Sequence, residues 1–284
     1  MCAGLEFGED DLREIKRARK VPRFDFELPE SIKVSKILCG GMHTMVLTNT
    51  GRVFTWGCND EGALGRDGNE AEPRMVTGIP CVNGIAAGDS HSLVYNTESN
   101  EVYQWGLYRN SLTGRTYDPV KKPQRFAQNL FKNKVSVVKI ASGSHHTLAL
   151  TNGGKVFAWG DPESGKIGRN LKSRNRNVQA LEIEAVGARN AVDVFCGNNA
   201  SFYKNAKGFL FAWGLNNHGQ LGIGHRENTC TPTLVKELKG EKVMQVEGGE
   251  HHTIALTEDG KVYCWGRNDE GQGGLGDLFG DYRR

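Results

Sequence analysis

Cys39–Arg66 reads CGGMHTMVLTNTGRVFTWGCNDEGALGR, and the rest of the chain is built from this stretch. It opens on a Gly-Gly-x-His-Thr turn and passes through a short apolar run, Met45-Val46-Leu47. A polar turn, Thr48–Gly51, leads into an alternating run, Arg52–Trp56. Two apolar runs joined by a glycine-containing turn predict a β-hairpin. The unit closes on Trp56-Gly57 and a loop ending Gly62-Ala63-Leu64-Gly65.

The same pattern returns four times. All five tryptophans stand in one dipeptide: Trp56-Gly57, Trp105-Gly106, Trp159-Gly160, Trp213-Gly214 and Trp265-Gly266. The glycine turns that begin at Gly40, Gly88, Gly143, Gly197 and Gly249 keep step with them. A period of about fifty residues, each unit built of short strands and glycine turns, predicts an all-β fold, a β-propeller. A strand is expected before each glycine turn, at Ile32–Leu38, Val82–Ala86, Val135–Ile140, Ala191–Phe195 and Lys242–Val246. A second is expected before each tryptophan, at Arg52–Thr55, Glu101–Gln104, Lys155–Ala158, Phe209–Ala212 and Lys261–Cys264. Tryptophans in register around a repeat read as packing between blades, not as ligand stackers. The turn histidines His43, His91, His146 and His252 read as structural for the same reason, since one per blade does not converge on a site.

Composition narrows the function classes. The formal net charge of +3 is too small to imply a nucleic-acid or membrane role without local clusters. The chain has no apolar run of membrane-spanning length and no secretory signal before its first charges. Seven widely spaced cysteines without a Cys-x-x-Cys pair predict buried thiols in a reducing, intracellular compartment. No Gly-x-Ser-x-Gly elbow, phosphate-binding loop or metal cluster is present, so no cofactor, small-molecule substrate or covalent chemistry is expected.

These repeats resemble the regulator of chromosome condensation family, seven-bladed propellers that include the chromatin-bound exchange factor for the small GTPase Ran. The resemblance rests on Gly40–Thr44, on Gly57–Asp67 (GCNDEGALGRD) and on Ala87–Ser92 (AGDSHS). It implies a nuclear, chromatin-associated protein that promotes nucleotide release from Ran. Three loops after the tryptophans end in Gly-x-Leu-Gly or Gly-x-Ile-Gly, but the one after Trp105 reads Leu107-Tyr108-Arg109-Asn110-Ser111-Leu112-Thr113. In the family the corresponding loop is a β-wedge pushed into the GTPase beside its phosphate loop, so these seven residues are the implied active element. Asp89 matches an acidic residue used against the GTPase, and His251 matches a histidine turn with a similar role, with either His251 or His252 as the exposed ring. His145 stands where the exchange factor carries an aspartate, and Ala200 stands where a turn histidine is usual.

Two basic segments fit the implied chromatin partners, nucleosome, histones and DNA. Lys16, Arg17, Arg19 and Lys20 lie in a cluster from Arg13 to Arg23 that reads either as an import or DNA-contacting arm or as a solvated flank. Lys166, Arg169, Lys172, Arg174 and Arg176 follow one another with no acid between them, where the family has a loop that grips the nucleosome's acidic patch. Arg115, Lys121, Lys122 and Arg125 add a third stretch.

Residues 1–30 are expected to form a flexible tail, and 31–284 the propeller, with turns at 40–44, 88–92, 143–147, 197–201 and 249–253. Ile32–Leu38 reads as the last strand of a repeat. It could complete the final blade of a five-bladed ring; blades shaped for seven favour instead an incomplete arc of a seven-bladed ring. A binding propeller without efficient exchange, or a generic interaction module, is the alternative function.

Overall fold

The computed structural model describes Val21 and residues 31–109, 118–126, 135–168 and 188–275. Its described residues form five antiparallel sheets, one per repeat, an all-β propeller architecture with five described blades. Blade 1 is β1 (Val34–Cys39), β2 (His43–Thr48), β3 (Val53–Gly57) and β4 (Arg74–Met75). Blade 2 is β5 (Gly84–Ala87), β6 (His91–Asn96), β7 (Glu101–Gly106) and β8 (Val120–Phe126). Blade 3 has three described strands, β9 (Val137–Ser142), β10 (His146–Thr151) and β11 (Val156–Gly160). Blade 4 is β12 (Ala191–Cys196), β13 (Ala200–Asn205), β14 (Leu210–Gly214) and β15 (Thr229–Leu234). Blade 5 has three described strands, β16 (Val243–Gly248), β17 (His252–Thr257) and β18 (Val262–Gly266). The chain divides into two compact units, 1–140 and 141–284.

Three expectations change. The strands before the tryptophans run on through Trp-Gly, because these residues pair with the turn histidine and the residue after it: His43 opposes Gly57 and Thr44 opposes Trp56. The strand at the start of blade 1 is its first, not the last of an earlier repeat; β1 pairs antiparallel with β2. Among the described residues no cysteine is in a disulfide and none is fully buried: Cys39 and Cys81 are exposed, and Cys58, Cys196, Cys230 and Cys264 are half-buried. Among the described residues, no helix is long and apolar enough to cross a membrane.

A single twisted sheet has two faces to bury, and the apolar clusters lie between blades. Within the first unit, Met45, Leu47 and Val53 of blade 1 pack with Ile85, Val94 and Trp105 of blade 2. Within the second, Leu148 and Val156 pack with Val194, Tyr203 and Trp213, and Phe202 and Leu210 with Val243 and Val246. Full burial of each such side chain is worth about 1.5–3 kcal/mol.

A repeated hydrogen-bond fork fixes the register of these layers. Ala63 O accepts from Ser92 Oγ at 2.8 Å and from Trp105 Nε1 at 2.7 Å. Lys166 O accepts from Ser201 Oγ at 2.7 Å and Trp213 Nε1 at 2.9 Å. Gln220 O accepts from Thr253 Oγ1 and Trp265 Nε1, both at 2.8 Å. The indole passes so close that Cβ atoms at Gly65 and Gly222 would sit 2.6 and 2.9 Å from Trp105 Nε1 and Trp265 Nε1, at φ values of 66° and 68°. Only glycine fits there.

The turn histidines complete two of the forks. His43 Nε2 lies 2.9 Å from Ser92 Oγ, and His146 Nε2 lies 2.9 Å from Ser201 Oγ. Each serine hydroxyl has one hydrogen, which goes to the carbonyl, so the ring must donate from Nε2. Burial lowers the pKa of His43 to about 4 and of His146 to about 3; Lys166 and His145 push His146 further down, and Asp161 opposes them. In blade 4 Ala200 supplies no ring, and Thr253 replaces the serine at the next junction.

Two predictions follow from this geometry. Gly222→Ala adds a methyl against the Trp265 indole at a left-handed φ and lowers stability by about 1–3 kcal/mol, read by chemical denaturation. The histidine linkage sets a pH dependence. Both folded-state pKa values lie below the ordinary 6.5, so the unfolded chain takes up the proton first. The stabilisation is complete above pH 6.5 and is lost as pH falls toward 4, on the order of 3 kcal/mol for His43. Denaturation midpoints measured between pH 7 and 4 fall less steeply in the doubly substituted His43→Gln, His146→Gln protein.

Candidate functional site

In each blade the glycine turn and the loop after Trp-Gly emerge at the same end, tied by one backbone bond. Cys58 N donates to Met42 O, Leu107 N to Ser90 O, Asp161 N to His145 O, Leu215 N to Asn199 O and Arg267 N to His251 O. Charged side chains on these loops therefore collect at blade ends.

In the first unit they frame a cavity of about 110 Å³ lined by Met42, Cys58, Asp60, Glu61, Asp89 and Arg109, among others. Asp89 is exposed at its rim. It is placed by the turn before it: Gly41 N donates to Asp89 O at 3.1 Å, and a Cβ on Gly41 would fall 2.0 Å from Asp89 Oδ1. Gly41 of blade 1 thus makes room for the aspartate of blade 2, and Gly40 for the His43 ring and the Gly88 carbonyl. Arg109 pairs with Glu61. Three carboxylates against one guanidinium leave the cavity with a formal charge of −2.

The loop after Trp105 begins here. Leu107 is only 4% exposed and its N–H donates to Ser90 O, so it anchors the start of the loop in its own blade. Tyr108 lies flat on His91, with ring centroids 3.9 Å apart at 23°. Arg109 is exposed; Asn110, Ser111, Leu112 and Thr113 lie outside the described residues.

His251 belongs to the second unit. Its ring lies 4.5 Å from that of His218, tilted by 44°, with Glu250 Oε1 3.7 Å from its Nε2. Both His251 and His252 are half-buried; His252 is the register residue that starts β17. Partial burial lowers the pKa of His218, and its neighbours His251, Arg267 and Arg226 add to this while Asp269 opposes it. Arg267 is held by Asp269 at 2.6 Å.

The basic segments fare differently. Arg169, Lys172, Arg174 and Arg176 lie outside the described residues, as do Lys16, Arg17, Arg19 and Lys20. Lys166 is removed from the basic surface: it is 2% exposed, its Nζ 2.7 Å from Asp161 Oδ2 and 3.1 Å from Asn199 Oδ1. Lys122 pairs with Asp67 and Arg125 with Glu101, both at 3.0 Å. Sequence reasoning missed Asp60 and Glu61 as partners of Asp89. It also missed the Asp161–Lys166 pair, which replaces Cys58 and Ala63 of the first repeat and was signalled by two charged substitutions in one loop. Among the described residues no group of three or more His, Cys, Asp or Glu side chains is arranged to hold a metal ion.

Five sheets, with indole forks joining neighbouring blades inside each unit and charged loops at blade ends, define a repeat-built propeller. The chain belongs to the RCC1-like domain family, which matches residues 2–283. It is 34% identical to the human regulator of chromosome condensation over 96% of this chain and 68% of that protein. It is 32% identical to protein pim1 of Schizosaccharomyces pombe over 96% of this chain and 54% of that one. The chain therefore spans about half the length of pim1. The same repeats occur in the human E3 ubiquitin-protein ligase HERC2, at 34% identity over 86% of this chain and 5% of the ligase. Among solved structures, Prp20p of Saccharomyces cerevisiae superposes with a TM-score of 0.75 at 30% identity, covering 84% of this chain and 58% of that one. That structure was described with the binding of Prp20p to Gsp1p and histones, and a second shows the yeast protein bound to Kap60.

The anchor and the stacked ring of the loop separate by mutation. Leu107→Ala empties a buried site and lowers stability by about 2–3 kcal/mol. Tyr108→Ala removes one ring stack and costs about 1 kcal/mol. Denaturant midpoints of the two variants distinguish them.

Proposed function

We propose that this chain is a guanine-nucleotide exchange factor for the small GTPase Ran, chromatin-associated and nuclear, which promotes nucleotide release with the loop that follows Trp105. The observation that carries the reading is the juxtaposition of that loop with an acidic cavity. Tyr108 is seated on His91, Arg109 pairs with Glu61, and Asp89 is held at the same rim by Gly41.

The mechanism is differential binding. A GTPase holds nucleotide through the N–H groups of its phosphate loop and through Mg²⁺. A loop that fits the nucleotide-free shape better than the loaded one lowers the barrier to release, with no covalent step. Leu107 and Tyr108 give the loop a rigid base, and residues from Arg109 through Thr113 are its working part. Asp89, Asp60 and Glu61 present carboxylates to basic side chains of the partner, and oppositely charged rims speed encounter. His251 is a second contact in the same reading.

Similarity supports the assignment of partners. The human relative is a regulator of chromosome condensation, and the yeast relative binds Gsp1p and histones. On this reading Arg169, Lys172, Arg174 and Arg176 meet the nucleosome's acidic patch, and Lys16, Arg17, Arg19 and Lys20 meet DNA or histones. The five blades are read as part of a seven-bladed ring. A propeller that binds without efficient exchange is the second reading, favoured by His145 where the exchange factor has an aspartate.

Release of a fluorescent GDP analogue from Ran tests the proposal. The chain accelerates release well above the intrinsic rate, and replacing Tyr108–Leu112 by glycine and serine removes roughly two orders of magnitude, about 2.7 kcal/mol. Histone binding by that variant is unchanged. Intrinsic-rate release in the presence of folded, histone-binding chain overturns the exchange reading in favour of the second.

A further inference from the structure

In blades 1, 3, 4 and 5 the loop after Trp-Gly is closed by a tie within the loop itself. The second residue after the glycine is Asn59 in blade 1, Asn216 in blade 4 and Asn268 in blade 5. Asn59 Oδ1 accepts from Leu64 N at 2.9 Å, and Asn59 Nδ2 donates to Arg66 O at 3.0 Å. Asn216 Oδ1 accepts from Leu221 N at 3.0 Å, and its Nδ2 donates to His225 O at 2.7 Å. Asn268 Oδ1 accepts from Gly273 N at 2.7 Å. Blade 3 has Pro162 at this position and closes its loop with the buried Asp161–Lys166 pair.

Blade 2 departs at two consecutive residues. Tyr108 replaces the asparagine, and its ring lies on His91. Arg109 follows, where the other blades carry an acid or an amide: Asp60, Glu163, Asn217 and Asp269. That change of charge ties the loop to the neighbouring blade, because Arg109 pairs with Glu61 of blade 1. The Glu61 side chain is 22% exposed, and its Oε2 is buried without a hydrogen-bond partner, so Arg109 is what offsets the carboxylate's loss of water. The same blade 1 loop meets the returning chain. A Cβ on Gly62 would lie 2.9 Å from Lys121 Cα, and Asp67 Oδ2 is 3.0 Å from Lys122 Nζ. The glycine approach is shared with blades 3 and 4, where Gly165 meets Cys230, and the Asp67–Lys122 pair is solvated. What is particular to this junction is the pair at Arg109.

We infer that Glu61 is a positioning residue for nucleotide release: through Arg109 it holds the base of the loop after Trp105, the task an in-loop tie performs in the other blades. The role in release rests on the exchange reading; the holding of the loop base rests on the free chain. An in-loop tie fixes the shape of a whole loop. A tie to the neighbouring blade fixes where the loop starts and which way Arg109 points, and it uses no residue beyond Arg109. Ordering the base before encounter removes that entropic cost from the step in which the loop acts. Loss of the tie therefore falls on kcat, whereas loss of a carboxylate that met the partner directly would fall on KM.

Two measurements on Glu61→Gln, which removes the charge and keeps the size, test this, with the fold checked by circular dichroism. The first is amide hydrogen exchange of the free chain, read by mass spectrometry in peptides covering residues 106–109. Exchange there is about fivefold faster in the variant, the fold-change of losing one partly buried ion pair, and is unchanged across β13 and β14. Glu61→Asp keeps a carboxylate within reach of the long arginine side chain and stays near the wild-type rate. Equal rates in wild type and Glu61→Gln overturn the inference, whatever the chain does to a GTPase. The second is release of labelled GDP from Ran, where Glu61→Gln lowers kcat about fivefold and leaves KM and histone binding as they were. An unchanged kcat overturns the positioning role, and a raised KM beside it makes Glu61 a direct contact instead. Intrinsic-rate release by the wild-type chain is a separate failure. It overturns the exchange reading, while the amide measurement still decides whether Glu61 holds the loop base.

Discussion

One carbonyl oxygen at each of three blade junctions organises the two units of this protein. It sits on the loop after the tryptophan, at Ala63, Lys166 or Gln220, and accepts both a hydroxyl and an indole N–H from the following blade. A carbonyl has two lone pairs, so the fork saturates it, and no water is needed at the buried centre of the contact. Each sheet is too small to have a core of its own; its apolar faces are buried only by neighbours. The fork converts that nondirectional requirement into a fixed register, because a one-residue slip would leave an indole N–H and a carbonyl unpaired in an apolar layer.

The charged loops inherit their positions from this register. Asp89 stands at a cavity rim because its own turn abuts Gly41, and the turn abuts because blade 2 is latched onto Ala63. Leu107 continues the same ladder, with its N–H on Ser90 O, so the loop after it departs from a fixed point. The wall of the blade is rigid to the level of Tyr108, and partner-facing chemistry begins beyond it. Placing variable loops on a repeat-built scaffold lets one fold serve unrelated partners, which is why the same repeats occur in a ubiquitin ligase and in a chromosome-condensation regulator.

Much of this could be read from the sequence, for a physical reason. Trp56-Gly57 and Gly40-Gly41-Met42-His43 recur because backbone geometry and close packing leave almost no alternative residues at these points, so period and blade count follow from spacing. The acidic cavity was harder to see. Glu61 and Arg109 are separated by most of a repeat, and their pairing depends on how two blades stack, which no local pattern encodes. Lys166 misled for a related cause. It opens a basic run and looks like surface, yet Asp161, five residues earlier in the same loop, draws its ammonium into the blade end, where Asn199 completes the shell. Cysteine exposure was likewise unreadable: Cys39 ends β1, where side-chain direction alternates every residue, and Cys81 lies in the loop before β5.

At each of the three forks the acceptor belongs to the preceding blade and the donors to the following one, and blade 4 carries both, so a blade is a two-ended connector of fixed polarity. Repeat length varies along the chain without disturbing that polarity, since the extra residues fall in loops, outside the fork. Gain or loss of a whole repeat regenerates a junction of the same chemistry, whereas gain or loss of part of one breaks two. The arrangement therefore favours change in whole-blade steps. Stability accumulates junction by junction, as in a linear lattice of nearest neighbours.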